Sequence, residues 1–162
     1  MSKYIYIYFS ICLLFSCENN SKDKSHLIGD FYSHTSLSSI IKNYEIGESS
    51  NHPKFQEFEG NLQSLFIKNV NIHSIKTVTH LDFYDRKLMQ VTFEIQNSKT
   101  IHFDKMLKEQ IWDEHIKFLV TDGSCFVNKG IIVNEPSTVK CYCWYDERLK
   151  NEYSKAKNTS KE

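Results

Sequence analysis

A chain of 162 residues, 40% of them hydrophobic, is long enough for one domain with its own core, by the rough prior of ~150 residues per domain. Its 20 Lys+Arg balance 20 Asp+Glu, which excludes the basic excess of a nucleic-acid binder; no run of five like charges marks a charged tail. With 5 Gly and 2 Pro, turns fall largely to Asn, Asp and Ser, while a single alanine, Ala156, leaves little intrinsic helix support beside much Ile, Phe and Tyr, which favour strands.

The first element is Tyr4 to Phe15, YIYIYFSICLLF, a stretch without charge. A spanning helix needs ~20 apolar residues, so this run is too short to cross a membrane. It suits the apolar centre of a secretory signal, with Lys3 and the amino terminus as its positive start. It ends Leu14-Phe15-Ser16-Cys17. That ending resembles the lipobox of bacterial lipoproteins in its Leu, its small residue before the cysteine, and the cysteine itself; Phe15 stands where that family usually has a small residue. The resemblance implies cleavage between Ser16 and Cys17 and a diacylglyceryl group on the Cys17 thiol, with acylation of the new amino terminus. One acyl chain binds a membrane marginally and two hold it firmly, so such a Cys17 anchors the chain without a spanning helix. Residues 1–16 are then a signal peptide and 17–26 the lipidated cysteine with a tether. Glu18 to His26, ENNSKDKSH, has no apolar residue, and nine flexible residues reach on the order of 15–18 Å.

Residues 27–157 read as a single α+β domain and 158–162 as a frayed tail. Leu37, Ile40, Ile41 and Tyr44 recur at helical spacing, with Thr35 or Ser36 as cap and Gly47 near the end; 47–54 is a loop. Strands are expected at 62–68, 70–75, 77–84 and 88–96, the last two joined as a hairpin through Asp85-Arg86-Lys87 although that turn lacks the glycine of the commonest types. Thr79, Leu81 and Phe83 share one face, as do Met89, Val91, Phe93 and Ile95, with Gln90, Thr92 and Glu94 opposite. Phe103, Met106, Leu107 and Ile111 return to helical spacing, with Thr100 as cap. Strands follow at 116–121, 125–133 and 138–145, with Asp122-Gly123 as a turn. Asp146 caps a last helix striped by Leu149, Tyr153 and Ala156. The expected fold is an antiparallel sheet of about five to seven strands with two or three helices packed on one face.

The residues able to carry chemistry are few. An exported chain keeps disulfides, and Cys125, Cys141 and Cys143 are the candidates; with Cys17 lipidated they are odd in number, so one stays outside a single bridge. A bridge needs Cα atoms ~4.4–6.8 Å apart. Symmetric pairing about 134–137 sets Cys141 and Cys143 opposite Gly130 and Asn128, so a bridge to Cys125 requires a bulge or a non-hairpin neighbour. Buried structural thiols are the competing reading, and CxC alone is weak grounds for zinc. His80 and Asp82, two apart on one strand, form the one acid/base pair worth weighing. Lys140, Tyr142 and Trp144 share one face of the last strand; an exposed Tyr, Trp and cation make a recognition surface, and the same residues under a helix make core. No phosphate loop, nucleophile elbow or dinucleotide fingerprint is present. The sequence therefore points to a lipid-anchored envelope protein acting as a binding module. Its expected partners are the membrane, through its lipid, and an envelope or secreted protein, with no nucleic acid, metal or cofactor. An inhibitor or immunity lipoprotein against a toxin or wall hydrolase is the alternative within that class. A small periplasmic enzyme using His80/Asp82 or a cysteine centre is the alternative outside it.

Overall fold

The computed structural model describes residues 24–47, 56–58, 61–108, 110, 112–126 and 138–159. The signal peptide, Ser16, Cys17 and the tether as far as residue 23 lie outside the described residues, as does most of the strand expected at 125–133. The described chain runs β1 (His26–Ile28), β2 (Phe31–Tyr32), α1 (Leu37–Asn43), β3 (Gln56–Phe58), β4 (Leu62–Ile72), β5 (Ile75–Tyr84), β6 (Lys87–Gln96), α2 (Asn97–Lys108), β7 (Ile116–Asp122), β8 (Val139–Asp146) and α3 (Glu147–Thr159). The fold is α+β and mostly strand. A sheet in the order β3-β4-β5-β6-β8-β7 holds six of the strands, and β1 and β2 pair by themselves. Every neighbouring pair is antiparallel.

Local chemistry explains most element ends. Ser36 caps α1, its hydroxyl accepting the Ser39 N–H at 3.3 Å. Asp146 caps α3 in the same way through the Arg148 N–H at 2.9 Å; both satisfy a first-turn donor that the helix cannot. Thr100 is not a cap. α2 begins three residues earlier, directly off β6, and the Thr100 hydroxyl donates to the Asn97 carbonyl at 2.8 Å inside the first turn. The two-residue turns that join β4 to β5 and β5 to β6 have no glycine. His73 and Ser74 at one, and Asp85 and Arg86 at the other, all take positive φ between 47 and 68°, the hand that matches strand twist in two-residue turns. The strands expected at 62–68 and 70–75 are one strand, β4, with a bulge between Ile67 and Val70 where Asn69 turns left-handed at φ 57°.

The core lies on one side of the sheet. Leu65, Ile67, Leu81, Phe83, Val91, Phe93, Ile95, Tyr142 and Trp144 point there, beneath Leu37 and Ile40 of α1 and Phe103 and Leu107 of α2. A second irregularity, opposite Asp82 and Phe83, puts Leu88 across from Phe83 and leaves Met89 unpaired in the ladder. Leu88 thus joins the core cluster in place of the expected Met89, because one extra residue flips the alternation beyond it. α3 leans on the other face of the sheet: Tyr153 packs on Tyr84 at 5.9 Å and the Lys150 ammonium sits 3.8 Å above the Tyr145 ring. It stays helical through Asn158 and Thr159. The domain also takes in the end of the expected tether. Ser25 is buried and donates to Asp113 Oδ2 at 2.9 Å.

Candidate functional site

The expected surface of Lys140, Tyr142 and Trp144 is not a surface. Tyr142 and Trp144 are 0% exposed. They stack against Phe93 at 6.0 and 5.2 Å, and Phe103 of α2 closes edge-on over Tyr142 at 4.9 Å. Asp104 of α2 accepts the Tyr142 hydroxyl at 2.7 Å and lies 3.4 Å from Lys140 Nζ. Burial, and then this carboxylate, push the Tyr142 phenol above its usual range, since both disfavour the phenolate. The three residues share a face, as the alternation requires, but α2 lies on it.

Cys125 and Cys141 are joined, with Cα atoms 5.6 Å apart. The neighbour that permits this is β7. Thr121 pairs with Cys141, and the turn at Asp122-Gly123, where Gly123 takes φ 96°, brings Cys125 back over it. Cys143, half-buried two residues along, is outside the bridge. His80 and Asp82 do lie side by side, Nδ1 to Oδ1 3.4 Å, on the face opposite the core. Both are buried. Asp82 is held by Ser64 Oγ at 2.5 Å and by Gln90 Nε2 at 3.0 Å, and the His80 ring packs on Phe66 at 4.5 Å. The order is Ser–Asp–His, with the serine hydroxyl on the carboxylate and not on the imidazole, which is not the order of a serine–histidine–carboxylate nucleophile set. Among the described residues no group of three His, Cys, Asp or Glu has the geometry of a metal site.

A different feature has the shape of a binding site. The ladder between β5 and β6 stops at Thr79 and Phe93. Beyond it β5 pairs only with β4, down to Ile72 opposite Ile75, and β6 only with β8, down to Gln96 opposite Val139. The sheet therefore divides between Ile75–Val78 and Glu94–Gln96. Two local causes act together. The Lys68–Asn69 bulge raises the twist of the β4–β5 arm, and α2 starts without a linker at Asn97, carrying the end of β6 with it. The resulting cleft has a volume of about 400 Å³ and is lined by Lys68, Lys76, Thr77, Glu94, Lys99 and Phe126 among others.

Glu94 forms its buried wall at 5% exposure. One carboxylate oxygen, Oε1, accepts the Ser124 hydroxyl and the Phe126 N–H, the latter at 3.1 Å. The other, Oε2, is buried with no hydrogen-bond partner among the described residues. A buried acceptor left unmade costs ~1–3 kcal/mol, more for a charged group. Lys68, Lys76 and Lys99 line the cleft at exposed positions, and none has an ion-pair partner among the described residues. Lys99 sits in the first turn of α2, a turn without an acidic residue, where the helix dipole already disfavours a cation. Sequence reasoning placed Glu94 on the polar face of its strand and passed over the three lysines. The one available signal was an acid in a strand dense with Val, Phe and Ile; nothing in the spacing of positions 68, 76 and 99 joins them.

Comparison with protein-family models, with curated proteins and with solved structures finds no match to the chain.

Proposed function

We propose that the chain is a lipid-anchored protein of the bacterial cell envelope whose α+β domain is a binding module, with the cleft between β5 and β6 as its ligand site. The observation that carries the binding role is the cleft itself: the β5–β6 ladder ends early at Thr79 and Phe93, and Lys68, Lys76 and Lys99, without an ion pair among the described residues, line the opening. The location rests on the resemblance of Leu14-Phe15-Ser16-Cys17 to a lipobox and is supported by the Cys125–Cys141 bridge, a bond that persists in oxidising compartments. Among the described residues no helix is long and apolar enough to cross a membrane. The enzyme reading has less support: Asp82 is hydrogen-bonded to Ser64 and Gln90, and both His80 and Asp82 are buried.

The anchor is tested by growing a bacterial host that makes the full chain with an alkyne fatty acid. The expected result is label on the wild-type chain and its recovery with membranes, both lost in Cys17→Ala. Label and membrane recovery unchanged in Cys17→Ala overturn the anchor.

A further inference from the structure

We propose that β7 is an interface: two copies of this chain pair through it, edge to edge and antiparallel, about a two-fold axis that passes through Leu119 normal to the sheet. Neither the anchor nor the cleft is needed for this pairing. The six-stranded sheet has two unlike edges. One edge, β3, is three residues long, and a short strand is one way a fold blunts an edge. The other, β7, runs seven residues, IKFLVTD, in unbroken register with β8 and without proline or glycine. Phe118, Leu119 and Val120 are 44, 53 and 38% exposed on it. Its single lysine does not guard the edge. Lys117 Nζ donates to the Glu114 carbonyl at 2.8 Å and lies 3.7 Å from Glu147 Oε2, so it is turned back onto its own chain.

The backbone at this edge is open. The His115 carbonyl accepts the Glu147 N–H and the Gly123 N–H donates to the Val139 carbonyl, both at 2.9 Å and both continuing the β7–β8 register. Antiparallel bonding alternates, so the odd-numbered residues between them bond to β8, and Phe118 and Val120 turn their N–H and C=O groups outward. Among the described residues those groups have no hydrogen-bond partner. A lipid surface cannot satisfy them, because hydrocarbon offers no donor or acceptor; another strand can. A two-fold axis normal to the sheet keeps the core face of both copies on the same side and sets only residues of like parity opposite one another. With the axis at Leu119, Phe118 of each copy pairs with Val120 of the other and exchanges both backbone bonds, while the Leu119 side chains meet at the closer, non-bonded position. Each exposed apolar residue then faces an apolar partner. Moving the axis to Phe118 sets Leu119 against Lys117, and moving it to Val120 sets Phe118 against Asp122. Charge agrees with the same arrangement. A cavity of about 450 Å³ beside Phe118 and Val120 is lined by Asp104 and Lys108 of α2. Asp104 bonds Tyr142, which pairs with Val120, whereas Lys108 stands a helical turn on, toward Trp112 and its neighbour Phe118. The two-fold inverts that direction, so the aspartate end of each cavity meets the lysine end of the other. Pairing uses the long edge of both copies, so the assembly closes as a dimer.

Sedimentation equilibrium of the full chain in density-matched detergent micelles measures the association. One strand from each copy is near the lower limit of specific interfaces, ~1,200 Å² in total, so a dissociation constant in the micromolar range is expected. Leu119→Lys, at an exposed position, places like charges directly opposite each other. It is expected to raise that constant at least about tenfold, with the circular dichroism spectrum and melting temperature unchanged. The register is read by copper phenanthroline oxidation in membranes of a host that makes the full chain, in a Cys143→Ser background so that the thiol opposite Leu119 on β8 does not compete. Leu119→Cys is expected to give a covalent dimer. Lys117→Cys is expected to give none, because the two-fold sets Lys117 opposite Thr121 and holds the two copies of position 117 roughly 13 Å apart along the strands. A monomer at every concentration reached, a dimer that Leu119→Lys leaves unchanged, or cross-linking from Lys117→Cys as readily as from Leu119→Cys overturns the proposal. So does Leu119→Cys joined to a different protein in place of a second copy.

Discussion

Trp144 decides whether the last strand is core or recognition surface, and replacing it gives opposite outcomes for the two. The side chain is 0% exposed. Its ring lies 5.2 Å from Phe93 and 6.1 Å from each of Trp112, Phe118 and Tyr142, stacked on Phe93, Phe118 and Tyr142. A tryptophan buries ~200 Å², which at ~25 cal/mol per Å² corresponds to ~5 kcal/mol; a denatured chain that already buries part of that area lowers the figure. Trp144→Ala is therefore expected to cost about 3–5 kcal/mol, the range for large aromatic truncations in cores. Trp144→Phe should cost far less, about 1 kcal/mol, because the indole N–H has no partner among the described residues and its removal relieves a buried unpaired donor. Urea unfolding followed by far-ultraviolet circular dichroism measures both, with Trp112 fluorescence as a second probe. A recognition-surface tryptophan would change stability by no more than ~0.5 kcal/mol. Trp144→Ala within that margin of wild type refutes the core assignment, and Trp144→Phe as costly as Trp144→Ala refutes the reasoning about the indole N–H.

Three further outcomes follow from the same structure. Asp146 is buried, which raises its carboxyl pKa, yet its bonds to Arg148, at 2.7 Å for the shorter, and to Ser33 outweigh burial and hold it below the usual range; His34 Nε2 also faces it at 3.8 Å. A depressed pKa stabilises the fold above the ordinary Asp value, and that stability is lost as pH falls toward the folded-state value. Asp146→Asn should then cost ~2–4 kcal/mol at neutral pH and flatten the acid side of the stability–pH curve; an unchanged acid slope contradicts the account. Opening the bridge by Cys125→Ser should cost ~3 kcal/mol by loop entropy for its sequence separation of 16. Wild type in reductant should match it, and Cys143→Ser should cost less than either; equal stability with and without reductant counts against the bond. Tyr142 should stay protonated in native chain at alkaline pH where exposed tyrosines ionise, as read by ultraviolet difference spectra, and Tyr142→Phe should cost ~1 kcal/mol for the bond to Asp104. Because the phenol is raised in the folded state, the fold loses stability as pH climbs past the unfolded value near 10; one titration step for every tyrosine would contradict this.

Periodicity made β4 to β8, the helices at 37–44 and after Asp146, and the α+β class legible, because alternation and the 3.6-residue stripe are local consequences of burying one face; β1, β2 and β3 are too short to show it. It also paired His80 with Asp82 correctly as neighbours. It misplaced Met89, since a bulge is a defect of pairing and the sequence of one strand does not show it. It left the cysteine bridge open, because β8 lies between β6 and β7 and Cys125 reaches Cys141 through the turn that follows β7, not through symmetric pairing about 134–137. The cleft was out of reach for a related reason. Lys68, Lys76, Glu94 and Lys99 come from three strands and a helix, and they meet only because the β5–β6 ladder ends early at Thr79 and Phe93.

By itself the sequence determined what is written in nearest neighbours: the caps at Ser36 and Asp146, the turn at Asp122-Gly123, and which side chains share a face. Only the tertiary structure decided which face is which. Both sides of β8 are apolar enough to bury, with Tyr142 and Trp144 on one and Cys141, Cys143 and Tyr145 on the other. The choice was made by α2, whose Phe103 and Asp104 cover the tryptophan side. Burial is a property of contacts between distant segments, and a period-2 pattern is the same whichever side they come from.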